Sequence, residues 1–248
     1  MNAKKLLPAL LVLAAGSASA GEFYTYSSGN LWMSAPSFQN ANVTGYSNGA
    51  GSGQFLGNFT SAASATADSL VRFFCVEISQ YAVIPGPTTY SLTSSSSAWA
   101  NTTIYDNLRK LYDVAYLNPG LGDFWNGSAQ TAFGAFTPAA PALAAAFQLA
   151  VWEIVFDTGL NLSSGAFKDN GGSTGAAQAQ TWLNQVSSYS GTGYQSWNLY
   201  RFTNPTQQDF VAATHTVPEP GALALAALAL CGVGYSARRR PRAAHLES

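Results

Sequence analysis

The sequence predicts one exported domain of mixed α and β structure, with strands at its beginning and end and helices in its middle. Short aromatic or β-branched runs separated by Gly, Ser and Asn clusters come before residue 93, a pattern typical of strands. Apolar residues recur at helical spacing between residues 101 and 186. Two further strand-like runs, at 197–202 and 210–213, then end the domain.

Two terminal segments lie outside this domain, which spans residues 21–216. Residues 1–20 contain two lysines, an apolar run and a small-residue cleavage site, as secretory signal peptides do. Residues 221–237 are mostly apolar and precede the basic stop formed by Arg238, Arg239 and Arg240. We expect a membrane segment there, since its length approaches the roughly 20 residues of a membrane span when counted from residue 217. Residues 243–248 form a short tail.

Charge and cysteine content limit the possible functions. Residues 21–217 hold 5 basic and 10 acidic residues, a net charge of −5, which argues against nucleic acid as a partner. Of the two cysteines, Cys231 lies in the apolar C-terminal segment, where pairing with Cys75 is implausible. Cys75 is therefore a lone thiol in an oxidising compartment, where most cysteines form disulfides.

The first strands are expected at 22–26, 53–59, 70–78 and 88–92. Within the third of these runs, strand alternation puts Cys75 on the same face as Val71, Phe73 and Glu77. We therefore expect Cys75 to be held rigidly in the middle of a strand.

Three helices follow. The first begins at Asn101 or Thr102 and ends before residues 118–120. The second covers 140–156, since prolines suit its first turn and Asp157 begins a stop signal. The third is expected at 176–186, with Trp182 and Leu183 facing inward.

Gln148 stands out within the second helix, because it is the one polar residue between Leu143 and Trp152. Apolar side chains surround this helix on every face, so we expect the whole helix to be buried. A buried amide without a partner costs about 1–3 kcal/mol. Gln148 must therefore be hydrogen-bonded or chemically converted.

Other reactive constellations are weak. His215 is the one histidine of the domain, and a hydrolase built on Cys75 and His215 would lack an identifiable third orienting group. No Cys/His cluster offers a metal site, so neither a metal, a cofactor nor a set of catalytic residues is expected. Five acidic residues are interpreted as solvated surface: Asp106, Asp113, Asp123, Glu153 and Asp157.

Cys75 and Gln148 together permit a distinct reaction. A thiolate can attack a carboxamide carbon and expel ammonia, which leaves a thioester between the two side chains. Fixing the two groups side by side supplies an effective molarity of roughly 10⁵–10⁸ M. The alternative is that Cys75 is a small buried hydrophobic residue and Gln148 a hydrogen-bonded core amide.

Two short motifs carry a family resemblance. Phe74-Cys75-Val76 and the sequence FQLAVW at 147–152 resemble the two signature motifs of the thioester domain of bacterial surface adhesins. The resemblance extends to the helix ending at 116–118 and to Gln208-Asp209-Phe210. It implies an α+β fold, in which a β-sandwich or barrel-like part carrying Cys75 packs with a helical part carrying Gln148. It also implies that these two side chains form the thioester cross-link.

The C-terminal region, 217–242, resembles a PEP-CTERM sorting signal. The motif Val217-Pro218-Glu219-Pro220, the apolar segment and the arginines carry this resemblance. It implies processing by an exosortase-type enzyme of a Gram-negative bacterium, with transient anchoring in the inner membrane before the protein reaches the cell surface or extracellular matrix. An ordinary single-span anchor is the alternative.

The expected function is covalent adhesion. An amine, or a hydroxyl, on a surface partner or polysaccharide would attack the Gln148 carbonyl and release Cys75. Each molecule would react once, so we do not expect an enzyme. The alternative is a non-covalent structural or carbohydrate-binding component of the exopolysaccharide matrix. Its tryptophans, Trp125, Trp152, Trp182 and Trp197, would be core residues or sugar-stacking platforms, and we expect most of them to be core.

Overall fold

The structure, a computed structural model, describes residues 28–61, 69–82, 87–116 and 141–215. Its strands are β1 (Ser28–Val43), β2 (Tyr46–Ser61), β3 (Ser69–Cys75), β4 (Pro87–Thr93), β5 (Trp197–Thr203) and β6 (Phe210–His215). Its helices are α1 (Thr102–Tyr116), α2 (Pro141–Phe156) and α3 (Ala176–Ser187). Short 3-10 turns at Ser96–Ala98 and Gly193–Ser196 precede α1 and β5.

The six strands form a closed antiparallel barrel in the order β1-β2-β3-β6-β5-β4. Strands β3 and β6, which are far apart in the chain, are neighbours in this order. The predicted α+β fold is confirmed, and the strand part is barrel-like.

Aromatic side chains fill the barrel. The ring centroid of Phe73 lies 5.7 Å from that of Phe55 and 4.9 Å from that of Phe210. Tyr90 adds a fourth ring, 5.7 Å from Phe210. Because successive residues of a strand face opposite sides, Phe74 points away from this cluster, and its ring lies 4.5 Å from Phe147 of α2.

Helix α2 is the centre of the helical part. Residues 144–154 of this helix are all buried, as its uniformly apolar sequence predicts. Phe147 contacts Tyr112 of α1 at 4.9 Å and Trp182 of α3 at 6.1 Å, measured between ring centroids. The Ser52 hydroxyl of β2 donates to the Ala145 carbonyl at 2.7 Å, which ties the barrel to α2.

A glycine allows α3 to approach α2 closely. Gly175, the residue before α3, has a φ of +84°, a conformation that other residues rarely adopt. A Cβ at this position would lie 2.6 Å from the Ala142 carbonyl oxygen. Both the conformation and the close contact therefore require glycine.

Most predicted elements match the structure within a few residues. One strand was not predicted, and one expectation about a strand is wrong. Strand β1 has no predicted counterpart, because its sequence is polar and contains Pro36, which coincides with an irregularity in its pairing with β2. Cys75 is not in mid-strand, since β3 ends there. The next amide, that of Val76, donates to the carbonyl of Asp209, the residue before β6, at 3.0 Å. The chain therefore stays hydrogen-bonded to this neighbouring segment just beyond the end of β3.

Several predicted features lie outside the described residues: the signal at 1–20, the strand at 22–26, the sorting region at 217–242 and the segment at 221–237. Among the helices that the structure does describe, none combines the length and apolarity needed to cross a membrane.

Candidate functional site

The thiol of Cys75 lies where the barrel meets the helical part. Cys75 ends β3, pairs with Phe210 of β6 and is 6% exposed. Strand alternation places its side chain on the side of Phe73, opposite the face on which Phe74 contacts α2. The thiol therefore projects toward the barrel side of this junction.

Gln148 is buried and fully hydrogen-bonded to the main chain of Cys75. Its Oε1 accepts the Cys75 N–H at 2.8 Å, and its Nε2 donates to the Cys75 carbonyl at 2.8 Å. The expected burial of Gln148 is confirmed, and its amide has the hydrogen bonds that were one of the two possibilities left open by the sequence. The two residues that the sequence singled out are thus brought together, although both bonds involve the backbone of Cys75 and neither involves its sulfur.

A small cavity gives access to Cys75. Its volume is about 210 Å³, and its lining residues are Phe38, Ala50, Gly51, Phe55, Cys75, Ile78, Gln80, Tyr81, Ala82, Trp152 and Gln208. Most of these side chains are aromatic or aliphatic. Gln148 is not part of the lining and has no exposed surface, so the cavity is bordered by Cys75 but not by this amide.

A second glutamine, Gln208, lies in the same cavity as Cys75. Gln208 is 4% exposed, and its Nε2 donates to the Glu77 carbonyl at 2.7 Å. It precedes Phe210, the strand partner of Cys75, by two residues. Sequence reasoning gave Gln208 no role, although its tripeptide formed part of the family resemblance.

The chain after Cys75 is held by groups from both sides. The Glu77 carbonyl also accepts the Trp152 indole N–H at 3.3 Å, and the Glu77 carboxylate accepts the Asp209 N–H at 3.0 Å. Helix α2 and the residues before β6 therefore fix the same short segment. The main chain on which the thiol sits has little freedom to move.

The thiol is held in its neutral form. Burial raises the pKa of the Cys75 thiol well above its usual range, and the nearby Glu77 carboxylate raises it further. A thiolate is the stronger nucleophile, so any reaction of this sulfur requires that its proton move to another group as the new bond forms.

Glu153 contradicts the interpretation of the five acidic residues as solvated surface. It is completely buried on α2, where Oε1 accepts the Asn161 N–H at 2.7 Å and Oε2 has no hydrogen-bond partner within the described residues. Burial raises the pKa of the Glu153 carboxyl to about 7, against the opposing effect of the Asn161 bond, and the Asp157 charge raises it further. The interpretation was wrong because residues 144–154 of α2 are buried on every side.

Three other members of that set of five acidic residues lie in the described part of the chain, and each makes a structural contact. Asp106 pairs with Arg109 at 3.6 Å, and Asp113 accepts the Trp197 indole N–H at 3.1 Å. Asp157 accepts the Gly159 N–H at 3.0 Å. Across residues 28–61, 69–82, 87–116 and 141–215, no group of three or more His, Cys, Asp or Glu residues is arranged to hold a metal. Asp123 lies outside these ranges.

The Cys75/His215 pair is not brought together. Cys75 pairs with Phe210 at the start of β6, whereas His215 ends that strand and pairs with Trp197. The five-residue offset along the strand corresponds to about 17 Å. This separation removes the basis for a hydrolase dyad.

Three of the four tryptophans considered as sugar-stacking platforms are core residues. Trp152, Trp182 and Trp197 are each at most 2% exposed, as expected, although Trp152 also forms part of the cavity wall. Trp125 lies outside the described residues. Flat sugar-stacking platforms need exposed ring faces, and these three rings do not offer them.

Comparisons with known proteins give two kinds of similarity. Residues 216–240 match the family model of the PEP-CTERM protein-sorting motif. The chain is similar to the N-terminal thioester domain of a surface protein from Clostridium perfringens, with 10% identity and a TM-score of 0.43 over 76% of this chain and 99% of that one. It is also similar to the N-terminal domain of the Streptococcus pyogenes pilus tip adhesin Cpa, with 12% identity and a TM-score of 0.41 over 79% and 97%.

Among curated proteins, none matches the chain. The matched motif confirms the resemblance predicted for the C-terminal region, and it indicates that the protein is exported.

Proposed function

We propose that this exported protein forms an internal thioester on Cys75 and uses it once to bind an amine of a partner covalently. The observation that carries the proposal is the cavity of about 210 Å³, which is lined by both Cys75 and a glutamine, Gln208, and otherwise mostly by apolar residues. Thiol, carboxamide and exclusion of water are the three requirements for making and keeping a thioester.

Formation of the bond needs no other reactant. The Cys75 sulfur attacks the carboxamide carbon of a glutamine, the carbon–nitrogen bond breaks, and the thiol proton leaves with the nitrogen as ammonia. Because burial raises the pKa of the Cys75 thiol, this proton transfer must accompany the attack. The rigid hold on residues after Cys75 maintains the geometry that a slow step of this kind requires.

The sequence-based assignment of the acyl group is Gln148, and it remains a prediction. One feature favours Gln148: its amide is hydrogen-bonded to the main chain of Cys75. Two features oppose it. Both polar atoms of the Gln148 amide are already committed to the Cys75 main chain, and the amide has no exposed surface through which ammonia could leave or an amine could enter.

Gln208 meets the requirements of an acyl donor better. It lines the cavity with Cys75, and it lies two residues before Phe210, the strand partner of that cysteine. Its Nε2 is also hydrogen-bonded, to the Glu77 carbonyl, so its advantage over Gln148 is its place in the cavity lining. We therefore favour a Cys75–Gln208 thioester, in which Gln148 serves as a positioning residue for the Cys75 backbone.

Capture of a partner reverses the chemistry at sulfur. An amine nitrogen attacks the acyl carbon, the carbon–sulfur bond breaks, and an amine proton is transferred to Sγ, which gives an amide and a free thiol. The amide product is less reactive than the thioester from which it forms, and the released Cys75 sulfur returns to its protonated form. The new link should therefore persist, and each molecule should react once rather than act as an enzyme.

The sorting motif supports a place for this chemistry outside the cell. We propose that an exosortase-type enzyme processes the region around Val217–Pro220 after transient anchoring in the inner membrane, and that the domain then acts at the cell surface or in the extracellular matrix. The matched PEP-CTERM motif at 216–240 supports this route.

Intact mass spectrometry of the purified protein tests the proposal. We expect the wild-type protein to be lighter than its sequence mass by one ammonia, and Cys75→Ala to have the full mass. With Gln208 as the acyl donor, Gln208→Met restores the full mass and Gln148→Met lowers only the fraction that reacts. The opposite result for the two glutamine variants would assign the bond to Gln148.

Incubation with methylamine gives the second measurement. The adduct should appear on the peptide that contains the acyl glutamine, and one thiol should become titratable after denaturation. Wild-type protein of full mass with a titratable Cys75 would refute the thioester and favour a non-covalent matrix component.

A further inference from the structure

Gln80 lines the cavity that contains Cys75, and its side chain carries a hydrogen-bond acceptor that no described residue uses. Its Oε1 is buried and has no hydrogen-bond partner within the described part of the chain, although Gln80 lines the cavity. A buried acceptor without a partner destabilises a fold, so such an atom near a reactive thiol calls for a ligand that satisfies it.

The rest of the cavity restricts what that ligand can be. Phe38, Phe55, Ile78 and Trp152 provide apolar walls, and the lining contains neither a basic nor an acidic side chain. Its volume of about 210 Å³ lies below the roughly 300–1,000 Å³ typical of small-molecule pockets. The space therefore suits a single slender side chain with an apolar stem and one donor group.

We propose that Gln80 is a specificity-determining residue of the capture reaction, whose Oε1 accepts an N–H of an attacking primary amine carried on an unbranched aliphatic stem. This inference rests on the proposed thioester. One N–H donates to Gln80, so the nitrogen lone pair is held toward the acyl carbon. The amine then displaces Sγ as described above, with its proton transferred to the sulfur.

A sugar hydroxyl fits the cavity less well. A sugar ring carries several hydroxyl groups, and each needs a partner when it leaves water. The lining offers two amide side chains and the hydroxyl of Tyr81, and the Nε2 of Gln208 is already bonded to the Glu77 carbonyl. An aliphatic amine needs only one acceptor and places its stem against the aromatic walls.

The test compares two nucleophiles on the full exported protein carrying the mass deficit. Butylamine presents N–H donors, whereas ethanethiol presents only a weak S–H donor. We expect Gln80→Met to keep the mass deficit and to react with butylamine about tenfold more slowly than wild type, the effect of losing one hydrogen bond. Its reaction with ethanethiol should be unchanged. A purely structural role would slow both reactions together.

Gln185→Met is the matched control. Gln185, on α3, also has a buried Oε1 without a partner in the described chain, but it is not one of the residues that line the cavity. This variant should react with both nucleophiles as wild type does.

The outcomes separate the two proposals. Wild-type protein without a mass deficit refutes the thioester itself. An intact deficit with an unchanged butylamine rate in Gln80→Met overturns the role of Gln80. If Gln80→Met loses the deficit, Gln80→Glu decides, because it retains an acceptor oxygen: butylamine capture at or above the wild-type rate supports the proposal, and slower capture overturns it.

Discussion

Helix α2 buries two polar side chains, Gln148 and Glu153, and the structure satisfies them to different degrees. Both are completely buried. The Gln148 amide uses its oxygen and its nitrogen in two bonds to Cys75, whereas the Glu153 carboxyl has one bonded and one unpartnered oxygen. Gln148 is a neutral group that fixes geometry at any pH, whereas Glu153 is an ionisable group whose burial raises its pKa and makes its contribution to stability depend on pH.

Removing the fully bonded group should have the largest effect. Gln148→Leu leaves the Cys75 N–H and carbonyl buried without partners, and we expect a loss of about 2–4 kcal/mol in the free energy of unfolding. Urea unfolding at pH 7 measures it, in a Cys75→Ala background so that no cross-link contributes. Gln180→Leu is the control, since its amide bonds Leu162, Leu160 and Asn184 near solvent and water can replace them. Equal losses of unfolding free energy in Gln148→Leu and Gln180→Leu would contradict the greater importance of the buried amide.

Glu153 should make stability depend on pH, with the next largest effect. Its folded-state pKa, about 7, lies above its ordinary value of 4.5, so the folded state holds the proton more tightly than the unfolded state. Its stabilising contribution is complete below about pH 4.5 and is lost as pH rises through 7. At about 1.4 kcal/mol per pKa unit, we expect a fall of about 2–3 kcal/mol across this range.

Glu153→Gln isolates that contribution, because a glutamine can still accept the Asn161 N–H but does not ionise. Its unfolding free energy should show no comparable fall between pH 4.5 and 7. Asp157 does not interfere, since backbone hydrogen bonds, first that from Gly159, lower its pKa, and its contribution is lost only as pH falls below this window. A variant with the same pH profile as wild type would show that Glu153 is ionised in the folded protein.

Trp152 should show the smallest effect of the three. Its indole N–H makes one long bond, 3.3 Å, to the Glu77 carbonyl, which also accepts a shorter bond from Gln208. We expect Trp152→Phe to lose about 1 kcal/mol of unfolding free energy, independent of pH, as measured by urea unfolding at pH 5 and pH 7. A loss as large as that of Gln148→Leu would mean that the Glu77 carbonyl depends mainly on the indole.

Local sequence signals predicted the helices well and the site only in part. Prolines and an Asp-Thr-Gly stop placed the second helix at 140–156, within one residue of α2 at its start. The same apolar periodicity that buried Gln148 should also have buried Glu153, but a carboxylate is so rarely buried that it was assigned to the surface. The polar sequence of β1 concealed a strand that is defined by pairing with β2 and β4 rather than by its own pattern.

Gln208 could not be given a role from sequence because its importance depends on topology. It is 131 residues from Glu77 along the chain, yet the two are hydrogen-bonded because β3 and β6 are neighbours in the barrel. No local pattern around Gln208 indicates that pairing. By contrast, Gln148 was conspicuous because it is the one polar residue among apolar neighbours.

The position of β6 has a mechanical consequence for the proposed covalent capture. This six-residue strand, Phe210–His215, begins two residues after Gln208 and ends immediately before the sorting motif at 216–240. If a partner is bound at Gln208 and the C-terminal side is held at the cell, tension runs along β6 alone. The helices and the other five strands would lie outside this path, so their unfolding would not break the covalent connection between partner and cell.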